Sequence, residues 1–190
     1  MPKLVDHDQR RQAIAEGVWR VIVRDGVAAA SVRAVATEVG LSAGSLRHFF
    51  PAHSDLLVYA MHLVVERIEA RVAALPTTTS RRRSVEQRLQ QLLPLDEERR
   101  IENEVWLAFT AHALVRRELR DLWDEVHRAQ RHACALAVKQ LGAAAAVEAR
   151  RLHALLDGLA VHAALSPDDA APDRLIAVLR RHLNSLETGS

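Results

Sequence analysis

In the stretch GLSAGSLRHFF, Gly40 to Phe50, the side chains of Arg47 and His48 follow a run of small and polar residues. An arginine offers a rigid fork of donors that suits phosphate oxygens or the edge of guanine. Ser42, Ala43, Gly44 and Ser45 stand just before it, small enough for outward-pointing amides to meet a phosphate. Far along the chain, His153 and Asp157 are four residues apart. On a helix they share a face, a spacing that orients an imidazole or clasps a metal. With no third ligand identifiable, a hydrogen-bonded pair is expected there, and no metal or cofactor is assigned. The single cysteine, Cys134, cannot close an internal disulfide and reads as a small buried residue. The sequence contains no nucleophile elbow, phosphate loop or spaced carboxylate pair, so no enzymatic activity is expected.

The elements that must position these residues are helices. Of 190 residues, 49% are hydrophobic, with only seven glycines and six prolines. Alanine and leucine outweigh β-branched and aromatic types, which favours an all-α fold. The N-terminal run MPKLVDHDQRRQ lacks the apolar core of a signal peptide, and no apolar stretch is long enough to cross a membrane. A cytoplasmic protein with no membrane partner is therefore expected. A net charge of +2 permits nucleic-acid binding without requiring it.

Apolar residues at helical spacing predict a first helix from about 9 to 25, stopped at Asp25-Gly26. Ser31 can cap a second that ends at Gly40, and Ser42 a third over about 42 to 49, stopped by Pro51. A fourth should begin at Ser54 or Asp55 and reach about residue 75. PTTTSRRRS, residues 76 to 84, reads as a loop, its arginines solvated rather than bound to DNA. Further helices are expected near 82–93, 96–115, 117–141, 145–165 and 172–187. That makes about nine helices and no strand, with a composition boundary near residue 53.

Helix, tight glycine-containing turn and helix form the helix-turn-helix plan, whose second helix lies in the DNA major groove. Ala36 is small where the helices cross, and Val32, Val35, Leu41 and Leu46 supply the apolar joint. Gly44 inside a helix costs about 1 kcal/mol relative to alanine. SVRAVATEVGLSAGSLRHFFPAHSDLL, Ser31 to Leu57, resembles the DNA-binding region of the TetR family of bacterial transcriptional regulators. LLPLDEERRIENEVWLAF, Leu92 to Phe109, and LLDGLAVHAAL, Leu155 to Leu165, resemble the regulatory half of its BetI-like subgroup.

That resemblance implies a DNA-binding domain at residues 1–53 and a helical ligand-binding and dimerisation domain at 54–190. It implies a homodimer joined through the last two helices and a small-molecule effector held by the middle ones. Effector binding would change the spacing of two DNA-reading heads and release double-stranded operator DNA, the behaviour of a repressor. Arg33, Ser42, Ala43, Gly44, Ser45, Arg47, His48 and His53 are the expected DNA contacts. Many relatives carry tyrosine at the positions of Arg47 and His48 and lysine at that of His53. Arg47 can keep a phosphate contact or read guanine, whereas a mostly neutral His53 holds phosphate less firmly.

Aromatic stripes on the middle helices read first as core, and only the resemblance assigns them to a pocket lining; both readings can hold together. Its expected lining is Tyr59, Leu63, Trp106, Phe109, His112, Trp123, Val126, His127, Gln130, His153 and Asp157. The residue types fit an apolar molecule bearing a polar or cationic group. Leu152, Leu155, Leu156 and Leu159 form one apolar stripe, and Leu175, Leu179 and Leu183 another. Paired with their copies they would make a four-helix dimer interface. Two alternatives stand beside this reading: a constitutive DNA binder without effector, and a helical ligand-binding or enzymatic protein in which the helix-turn-helix is scaffold.

Overall fold

The computed structural model describes residues 2–142, 146–166, 168 and 170–188, and the side chains of these except 2–9, 11, 12, 53 and 188. Among the described residues there are nine α-helices and no strand. They are α1 (Pro2–Asp25), α2 (Val32–Glu38), α3 (Ala43–Arg47), α4 (His53–Ala73), α5 (Arg81–Gln90), α6 (Glu97–Val115), α7 (Arg120–Gln140), α8 (Ala146–Leu165) and α9 (Pro172–Thr188). Single 3₁₀ turns, Val27–Ala29 and Arg117–Leu119, precede α2 and α7.

The chain forms two compact units: residues 1–66 with 104–120, and residues 67–103 with 121–190. In the first unit α1 buries Ile14, Val18, Val21 and Ile22, the stripe expected from the sequence. It begins at Pro2, seven residues earlier than the apolar pattern indicates. A proline is tolerated there because the first helical position needs no amide donor. Glu38, at the end of α2, takes hydrogen bonds from Arg20 Nε (2.8 Å) and Arg24 Nη1 (2.7 Å) of α1. Those guanidinium bonds, Arg24's first, hold the Glu38 carboxyl below its ordinary range.

The second unit closes around Val85, Leu89, Leu93, Cys134, Val138, Leu152, Leu156, Leu175, Leu179 and Leu183. This corrects the expectation for the last two helices. Leu152, Leu156, Leu175, Leu179 and Leu183 are at most 5% exposed within a single chain, so they form its own core and no outward face. Leu159 packs against that core and Leu155 is half-buried.

The arginine run is also not a loop. Ser80 accepts a hydrogen bond from the Arg83 amide at 3.2 Å and caps α5, whose first turn is Arg81 to Arg83. Arg82 then reaches Glu86 at 2.8 Å and the Asn184 side chain of α9 at 2.9 Å, and Arg180 of α9 returns to Glu86. The basic run thus fastens α5 to α9. In the last turn of α4, Arg71 engages the buried carboxylate of Glu102 with two guanidinium nitrogens.

Candidate functional site

The α2–α3 hairpin is built by local signals. Ser31 accepts a hydrogen bond from the Ala34 amide at 3.2 Å and caps α2. Gly40 follows with φ of 68°, the left-handed conformation that lets the chain reverse without a Cβ clash. Its neighbour Leu41 donates its amide to Ala36 O at 2.9 Å, closing the helix end. Ser42 then accepts from the Ser45 amide at 3.0 Å and starts α3. Val35, Ala36 and Leu46 are buried and form the joint between the helices.

What remains outside is one polar front. Gly44, Ser45, Arg47 and His48 are exposed, as is Arg33 at the start of α2. Ser42 is exposed too, its hydroxyl 2.9 Å from that of Ser45, and Ala43 is half-buried beside them. No other described residue engages the Arg33 or Arg47 guanidinium in an ion pair. α3 is shorter than expected, five helical residues followed by a turn at His48 and Phe49, and Phe50 is core against the Tyr59 ring at 5.1 Å. His53 heads α4, but its side chain lies outside the described residues.

A second polar cluster joins α7 to α8 within the second unit. The Trp123 and His127 rings stack with centroids 4.3 Å apart and planes 19° from parallel. His127 in turn meets the His153 ring at 4.3 Å, tilted by 58°. His153 Nε2 lies 3.5 Å from Asp157 Oδ2, without hydrogen-bond geometry. Gln130 Nε2 donates to the other carboxylate oxygen, Asp157 Oδ1, at 2.9 Å. Burial, then the neighbouring His153 and Arg131, lowers the His127 pKa below its ordinary 6.5. Asp157 also bears on Cys134, whose thiol is pushed up to about 12, chiefly by burial.

The structure therefore brings together Trp123, His127, Gln130, His153 and Asp157, with Val126 half-buried on the same helix. Tyr59, Leu63, Trp106, Phe109 and His112 belong to the first unit, where Phe109 is core and the others are half-buried. His127 as a partner of the His153–Asp157 pair was not legible, because the two helices meet only in the folded chain.

A family model described as "BetI-type transcriptional repressor, C-terminal" matches residues 81–187. The transcriptional regulator PksA of Bacillus subtilis is 40% identical over 98% of this chain and 94% of its own length. The chain belongs to the TetR family of transcriptional regulators, of BetI type. Among solved structures, a transcriptional regulator from Rhodococcus sp. Rha1 is similar over 94% of this chain and 96% of its own, with a TM-score of 0.82 at 28% identity. The multidrug binding protein EbrR, complexed with ethidium, has a TM-score of 0.67 at 28% identity over 91% of this chain and 98% of its own. As a TetR-family, BetI-type protein the chain is a DNA-binding regulator. Its relatives are regulators rather than enzymes. Among the described residues no helix is long and apolar enough to cross a membrane.

Proposed function

We propose that this regulator is a repressor that binds operator DNA as a homodimer and leaves it when a small molecule binds the second unit. The observation that carries the reading is the polar front of the hairpin: Arg33, Ser42, Ala43, Gly44, Ser45, Arg47 and His48 on one exposed edge, over a joint of Val35, Ala36 and Leu46. In the major groove, small residues at the front of α3 allow close approach. Arg47 reaches a base edge or phosphate, and Arg33 a flanking phosphate. A five-residue reading helix covers few base pairs, so two heads on half-sites about 34 to 36 Å apart, or a multiple of that, supply the specificity.

The dimer is supported by α8. Its inner face is core, yet its outer face carries Val147, Ala154, Gly158, Val161 and Leu165, with Val147 60% and Leu165 77% exposed. Apart from exposed Arg151, which pairs with Glu148 at 2.8 Å, that face is apolar and calls for a second covering surface. A Cβ at Gly158 would meet nothing within 4 Å in the single chain, so that position is open to close approach by a copy of α8. The interface is thus proposed on this face, with half-buried Leu155 at its edge, instead of on the core leucines.

Effector binding is supported by EbrR, which is similar along nearly its whole length and takes a ligand, and by the polar α7–α8 cluster beside Trp123. The test selects fragments of the source genome on the purified chain. The reading expects enrichment of one two-fold symmetric sequence, and a compound that raises the melting temperature should then weaken binding to it. Fragments sharing no sequence would contradict it.

A further inference from the structure

We propose that His127 of α7 and His153 and Asp157 of α8 form a binding site for a divalent transition-metal ion such as Zn²⁺, bridging the two helices. One ligating atom from each residue lies within 4.8 Å of the others. An imidazole, an imidazole and a carboxylate are the donor set of zinc and its first-row neighbours; magnesium and calcium prefer oxygen alone.

The second observation is a buried atom without a partner. His153 is 7% exposed, and its Nε2 is shielded from solvent with no hydrogen-bond partner among the described residues. A buried polar nitrogen left unpaired is costly, and this one faces the Asp157 carboxylate at 3.5 Å without bonding to it. An ion between them satisfies both.

The surroundings hold the ligands in place. Gln130 binds Asp157 Oδ1 and leaves Oδ2 toward His153, the outer partner that orients a ligating carboxylate. Stacking on Trp123 fixes the plane of His127. Three protein ligands leave one tetrahedral position for water or a donor atom of another molecule. The proposal does not depend on the repressor reading: a metal-free protein could still bind operator, and a metal-binding one could fail to.

The test is calorimetric titration of the full chain, stripped with chelator, with Zn²⁺ and separately with Mg²⁺, alongside circular dichroism to confirm folding. The site predicts one Zn²⁺ per chain and no heat with Mg²⁺. It also predicts loss of that binding in His127→Gln and in Asp157→Asn, and weakening of about 10- to 100-fold in Gln130→Leu. His132→Gln and His162→Gln, exposed histidines on the same two helices, should bind as the parent does. Co²⁺ in place of Zn²⁺ should give tetrahedral visible bands that vanish in His127→Gln. Because half-buried His127 tolerates substitution better than buried His153, the result does not rest on a variant that fails to fold. Absence of Zn²⁺ binding by the folded parent, or undiminished binding by His127→Gln, overturns the proposal.

Discussion

A β-carbon placed on Gly17 of α1 would lie 2.1 Å from Cγ1 of Val39, the C-cap residue that follows α2. Glycine in mid-helix is disfavoured by about 1 kcal/mol, so its presence records a close crossing of α1 and α2. Gly17→Ala should destabilise the hairpin by about 1 to 3 kcal/mol, the usual cost of overpacking, because a stiff β-branched neighbour must move. The gain in helix propensity offsets only part of this. Urea denaturation measures it, and an unchanged or raised midpoint would show that Val39 yields freely.

Gly158 presents the opposite case, an α8 glycine with open space around it. Gly158→Arg should leave the fold of each chain intact while dissociating the proposed dimer. Sedimentation velocity at micromolar concentration should show the parent as a dimer and the variant as a monomer. A variant that still dimerises would move the interface elsewhere.

How much was legible follows from range. Ser31, Gly40 and Ser42 act on residues within a few positions, so the hairpin and its caps stand in the sequence itself. The leucines of α8 and α9 show the limit. Periodicity revealed that Leu152, Leu179 and Leu183 lie on apolar stripes, but not that α5 and α7 of the same chain cover them. The Arg81–Arg83 run looked like a loop because threonines precede it, and its partners Asn184 and Glu187 lie a hundred residues away. His127 is likewise 26 residues from His153, on a different helix, and the two meet only in the folded chain.

Cys134 should be inert in the folded protein. Burial pushes its thiol up to about 12, so at pH 8 almost none is thiolate. A chromogenic thiol reagent should report no reactive cysteine in native protein and one per chain in denaturant. Rapid native labelling would show that α7 opens far more readily than its packing indicates.

His182 gives a pH signature. Burial, and then Arg151, lowers its pKa below the ordinary 6.5, against the opposing pull of Glu148. The unfolded chain therefore takes up a proton that the folded chain resists, and stability falls as pH drops below about 6.5. His182→Gln should reduce the difference in denaturation midpoint between about pH 7.5 and pH 5.5. An equal difference in parent and variant would remove His182 as a source.

The account turns on whether the front of α3 reads DNA. The most direct measurement is a fluorescence-anisotropy titration of the genome-selected operator and a scrambled duplex with the parent and with Arg47→Ala, across salt concentrations. Arg47 is exposed, so the variant should keep its melting temperature. The account predicts steep salt dependence for the parent and tighter binding to operator than to scrambled DNA. For Arg47→Ala it predicts a loss of about 1 to 3 kcal/mol on the operator, with relaxed preference at one position of each half-site if the guanidinium reads a base. Equal binding of operator and scrambled duplex by the parent, or an operator affinity untouched by Arg47→Ala, would contradict it.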